Sequence, residues 1–294
     1  MGRIRRLLAA VDGWQQRHAW AAFPLAVVNK FGRDRGGSLA ALIAYYGFLS
    51  LFPLLLVAIT VLGYVLAGHP ALQASVETSI LGRFPVIGDQ LHANVNHPLT
   101  GHPLGLAVGV AGLLWGSLGV TQAGQYAMAQ VWDVPDEMRP GLLARLGRGG
   151  AFLGVLAMSA VVTTGLSGLA SFDSGVPAAA AVAGPVLATA ANVGLYLLGF
   201  RVLTPAGVPT RQLWPGALVG GLGWEVLQVA GGYLVGHQLQ HASAVYGLFG
   251  LVLGLISWIY LGAQLSLYSA EVNVVAAKRL WPRHLVQPDK APTA

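Results

Sequence analysis

Residues 38–56 read SLAALIAYYGFLSLFPLLL, and the apolar run continues to residue 67. No Asp, Glu, Lys or Arg occurs between Arg35 and Glu77. A helix needs about 20 mostly apolar residues to cross a bilayer, so this run spans one with room to tilt or kink. Pro53 sits near its middle. Proline lacks an N–H, and its ring pushes off the carbonyl one turn earlier, that of Leu49. In lipid a freed carbonyl needs another partner, and the Ser50 hydroxyl lies beside it in sequence. The stretch predicts a kinked first membrane helix with a polar notch.

The rest of the composition agrees. Of 294 residues, 55% are hydrophobic and 10% charged, against about 25% charged in a soluble domain. The apolar segments are far longer than the roughly 10-residue alternating strands of a membrane barrel. The fold class is therefore all-α, a polytopic membrane protein. Cysteine is absent, which removes disulfides, thiolate metal sites and cysteine nucleophiles.

Six spans are predicted, at about 38–67, 104–125, 151–169, 178–199, 213–235 and 245–267, the last extending as helix towards 277. They form one membrane domain over 36–277. Residues 68–103 read as a long polar connection, and 131–150 as a short charged loop. Before the domain, residues 1–35 carry seven basic residues. Ile4, Leu7, Leu8, Val11 and Trp14 recur there at helical spacing, as in a basic amphipathic helix on the inner leaflet. Residues 7–11 are too short for a secretory h-region. Residues 278–294 form a polar tail.

Lys and Arg set the orientation, because cytoplasmic loops are enriched in them. With the N-terminus in the cytoplasm, sixteen of the 17 basic residues lie inside and only Arg83 outside. Six spans then place both termini in the cytoplasm. The same distribution explains the net charge of +6 without a nucleic-acid partner. Six histidines (His69, His92, His97, His102, His237 and His241) fall on the outer side. They read as neutral loop residues, because metal binding needs ligands that converge with a supporting shell. No metal, cofactor or catalytic residue is expected.

An ionisable group inside a bilayer costs about 2.5–3.5 kcal/mol or more, so such a group is a functional candidate. Glu225 falls at the middle of the fifth span, and Gln228 follows three residues later on the same helix face. Further polar side chains at depth are Tyr45, Tyr46, Ser50, Asn192, Tyr196, Gln264 and Ser266. Two readings of Glu225 stand open: a structural hydrogen bond to a neighbouring helix, with Asn192 or Gln264 as partner, or a proton- or substrate-binding role. Glu271 and Lys278 lie two turns apart near the cytoplasmic end and read as a structural pair. Gly112 and Gly116, and likewise Gly216 and Gly220 or Gly250 and Gly254, stand four apart, the spacing that lets membrane helices approach closely.

These residues carry a family resemblance. The stretch 38–56 is similar to the first-helix signature of the YihY/BrkB family of bacterial inner-membrane proteins. Residues 113–135, LLWGSLGVTQAGQYAMAQVWDVP, resemble its tryptophan-and-serine helix ending in a V-W-x-V-P turn. Trp214, Gly216, Ala217, Glu225 in GWEVLQ, Tyr233, Tyr246-Gly247, Trp258, Tyr260 and Ala270-Glu271 continue the likeness in order. The resemblance implies six helices with both ends cytoplasmic, and roles in envelope integrity, serum resistance or lipid export. It also brings a ribonuclease label. That label fails on the residues: the cytosolic acids are strung along loops, with no HxH, DxD or phosphate-cradling glycine loop. The expectation is a non-enzymatic transporter or translocase of a lipid or other amphiphile, with membrane lipids as partners. The alternative is a scaffold that recruits envelope proteins.

Overall fold

The computed structural model describes residues 19–66, 103–135, 137, 141, 143–155, 158, 178–204 and 207–282. Every regular element among them is helical. The helices with defined ends are α1 (Ala19–Arg33), α2 (Gly36–Leu66), α3 (Pro103–Val131), α4 (Ala178–Leu203) and α5 (Trp214–Lys278), with a 3-10 turn at Thr210–Gln212 before α5. Residues 143–155 add a helical stretch. Among the described residues, three segments are long and apolar enough to cross a membrane: Gly36–Pro53, Val186–Leu203 and Val252–Lys278. They fall on the first, fourth and sixth predicted spans. The third predicted span lies mostly outside the described residues, as do the 68–103 connection, the amphipathic pattern at 4–14 and the side chains of the six outer histidines.

Two boundaries differ from the sequence reading. The charged loop expected over 131–150 is helical from residue 143, and the Arg145 N–H already bonds the Gly141 carbonyl. Gly147, Gly149 and Gly150 each weaken a helix by about 1 kcal/mol without ending this one. The second difference is α5, whose range Trp214–Lys278 runs through the region expected to separate spans five and six.

A straight 65-residue helix would be about 97 Å long. Instead α5 folds back on itself. The Gly216 N–H donates to Asn273 Oδ1 at 2.6 Å, Gly223 lies under Leu265, and Gly231 lies under Trp258. These pairs run in opposite directions along the chain, so the limbs are antiparallel and the reversal falls between Gly231 and Trp258. The first contact also caps the helix. Gly216 is in the first turn, where N–H groups lack an intrahelical acceptor, and Asn273 supplies one.

The chain forms two compact units, with α2, α3 and α5 each contributing to both. In the first unit, Ala26 and Val27 of α1 pack on Val272 and Val275 of α5, flanked by Phe23, Tyr268, Leu280 and Trp281. Phe31 stacks on Tyr268 with ring centroids 3.8 Å apart. Helix α4 meets the first limb of α5 where Gly220 faces Tyr196 and Gly221 faces Val193. In the second unit α2 and α3 run antiparallel: Tyr46 lies on Gly119, Ser50 on Gly116 and Pro53 on Gly112. The missing Cβ atoms let the two backbones approach.

Candidate functional site

The first unit brings Asn192 of α4 to Glu225 of α5. The Asn192 amide Nδ2 donates to Glu225 Oε1 at 2.7 Å. No ion pair reaches Glu225 from any described residue. Asn192 stands six residues inside the apolar segment Val186–Leu203, about 9 Å from its start along the axis. One turn later on the same face of α4, Tyr196 lays its ring against Gly220. Its hydroxyl is 3.4 Å from Ser266 Oγ on the second limb of α5. Ser266 in turn donates to the Gly262 carbonyl at 2.9 Å. Asn192, Glu225, Tyr196 and Ser266 thus form a polar seam across three apolar helical segments.

Glu225 is half-buried rather than enclosed, and Gln228 is exposed. Leu222, Val226 and Val229 beside them are open large hydrophobics. Gln264 is half-buried on the second limb and makes an interaction of its own. The other four candidates, Tyr45, Tyr46, Ser50 and Pro53, belong to the second unit. Tyr45 is exposed and meets Tyr46 edge-on at 5.3 Å. The Ser50 hydroxyl does not serve Leu49, as the sequence had suggested. It donates to the Gly47 carbonyl at 2.7 Å. Side chains on a helix tilt towards its N-terminus, so a serine hydroxyl reaches carbonyls three or four residues back.

A second cluster in the first unit was not legible as a site. Lys30 of α1 is 2% exposed. Its Nζ donates to Asp34 and to the Val131 carbonyl at 2.8 Å, and lies 3.4 Å from Glu271 Oε2 and 3.8 Å from Asp133 Oδ2. Lys278 donates to the Trp132 carbonyl at 3.1 Å and to Asp133 at 2.9 Å. The two lysines meet the carbonyls at the end of α3, which lack intrahelical donors and carry the negative end of the helix dipole. Glu271 and Lys278 therefore take different partners instead of forming the expected pair. Seven residues of helix separate them by about 10.5 Å along the axis, whereas α1 and the end of α3 come alongside. Glu271 is fully buried, and neither of its oxygens accepts a hydrogen bond. Lys30 is close enough for an ion pair, and two of its three N–H donors go to Asp34 and Val131. The signal for Lys30 was there in the sequence: a lone lysine with Ala26 and Val27 one turn back lies on the apolar face of its helix.

Comparison with known proteins bears on all of this. Residues 27–294 match the family model described as Virulence factor BrkB. The chain belongs to the BrkB family. This BrkB-family chain is 25% identical to the inner membrane protein YhjD of Escherichia coli (strain K12), over 91% of this chain and 85% of that protein. It is 29% identical to an uncharacterized protein of Dickeya dadantii (strain 3937), over 92% and 88%. A UPF0761 membrane protein of Psychrobacter sp. (strain PRwf-1) is 23% identical over 91% of this chain and 51% of its own length, so the chain spans about half of that relative. No solved structure matches the chain. The BrkB-family chain is a membrane protein, and its V-W-x-V-P turn has a visible task. The Val134 N–H bonds the Ala129 carbonyl and that of Asp133 bonds Gln130, with Asp133 left-handed at φ 56. This ending stops α3 and sets the Asp133 carboxylate beside both lysines.

Proposed function

We propose that this protein moves a lipid or other amphiphile across or within the bacterial cytoplasmic membrane, and that it is not an enzyme. The proposal includes six spans with both termini in the cytoplasm. The observation that carries it is Glu225, a carboxyl on an apolar limb, held by Asn192 and without an ion pair from any described residue. An ionisable side chain there costs stability, and a neutral residue would serve a purely structural contact as well. The name of the Escherichia coli relative, an inner membrane protein, supports the same compartment here.

The test is movement of a headgroup-labelled fluorescent phospholipid in liposomes, read by dithionite quenching. The wild-type protein is expected to expose inner-leaflet probe faster than protein-free liposomes do. Glu225→Gln is expected to fold and to lose this activity. Glu225→Leu is expected to lower stability as well, by about 1–2 kcal/mol, the scale of an interhelical hydrogen bond in model membrane peptides. No movement by the wild type, with full complementation of a deletion strain by Glu225→Leu, would sink the reading. The close seating of Tyr196 on Gly220 and Val193 on Gly221 favours the alternative, a rigid scaffold for envelope proteins. A scaffold predicts complementation without any movement of lipid.

A further inference from the structure

We propose that the Asn192–Glu225 pair is the docking point for a cationic headgroup, a primary ammonium carried on an alkyl or acyl chain. This rests on the reading that the chain handles amphiphiles, and it names which ones. Asn192 commits a donor to Oε1. No described residue bonds Oε2. A carboxylate accepts only, and an ammonium offers three donors and no acceptor, so the two match.

The surroundings select the rest of the ligand. Leu222 and Val229, three residues before Glu225 and four after, share its helix face and lie open. They give an apolar surface on which a chain can lie. Gln228 is exposed on the same side and offers an amide to a headgroup oxygen. Glu225 is the one charged residue of the α5 limb before residue 230, and α4 carries only Arg201. Arg201 is nine residues beyond Asn192, about 13 Å along the axis. An anionic headgroup would meet Glu225 with no nearby cation from α4 or from this limb of α5 to offset it. The pair therefore discriminates by charge, accepting ammonium and turning away phosphate monoesters.

Three probes of one chain length test this on the intact protein in nanodiscs: a long-chain amine, the matching alcohol and the matching phosphate monoester. Each carries a photoactivatable diazirine. The amine is expected to bind at least about tenfold tighter than the other two, the scale of one charge-assisted hydrogen bond. Its cross-links are expected within 186–203 and 214–229. Glu225→Gln should erase the preference, and Glu225→Asp should keep it. If Glu225→Gln fails to fold, the wild-type ranking and cross-link map still decide. Equal binding of the three probes, or amine cross-links confined elsewhere, overturns the inference. Binding is measured without transport, so the two ideas fail separately. Lipid movement without an amine preference removes this inference alone, and amine binding at the pair without movement removes the translocase reading alone.

Discussion

Lys30 shows what a single residue can hide. By sequence it is one of seven basic residues that fix the N-terminal side of the membrane. In the fold it is buried against Val131, Asp34 and Glu271. Removing one partner of a buried ion pair is more harmful than replacing both with apolar groups, because the survivor is left uncompensated. Lys30→Met is therefore expected to destabilise the protein by about 3–5 kcal/mol. Lys30→Met combined with Glu271→Leu should recover much of that loss. Thermal unfolding in detergent reads both, and a double variant no more stable than Lys30→Met would show that Glu271 is not the group left stranded. The Lys278–Asp133 contact is more exposed and contributes little by comparison, since surface pairs are worth about 0–1 kcal/mol.

At the scale of elements, glycine positions separate packed helix faces from open ones. A Cβ on Gly221 would come within 2.5 Å of Val193 Cγ2 and 2.8 Å of its backbone. Backbone atoms cannot swing aside, so α4 and α5 would have to part. Gly221→Ala is expected to cost about 1–3 kcal/mol, as overpacking does. Gly254 has nothing within 4 Å of the same position. Gly254→Ala should leave stability unchanged or raise it by up to about 1 kcal/mol through helix propensity. Melting temperatures that move equally for the two variants would contradict the packing. The four-residue spacing flagged the pairs 216/220 and 250/254 alike. Gly216 and Gly220 lie under Asn273 and Tyr196, while Gly254 faces open space. Spacing gives the face on which small residues fall, and only the neighbour decides whether that face is used.

For the whole molecule, the proposed sidedness rests on the bias of Lys and Arg between segments. Reporter fusions after Asp173 and after His241 are expected to report the outer side, and those after Arg145 and at Ala294 the cytoplasm. A cytoplasmic signal at Asp173 would break the six-span arrangement. The sequence by itself determined that the chain is an all-helical membrane protein, where its longest apolar helices lie, and that Glu225 stands out. Those properties depend on hydropathy summed over about 20 neighbouring residues and on charge bias between segments, both local in the chain. The partner of Glu225 was narrowed to Asn192 or Gln264, and geometry chose Asn192. Tertiary structure alone decided which groups meet Lys30 in its buried place, Glu271 among them, and that Lys278 turns to Asp133. Ion pairing depends on which helix ends meet, and residues 30, 133 and 271 are brought together by packing that no local pattern records.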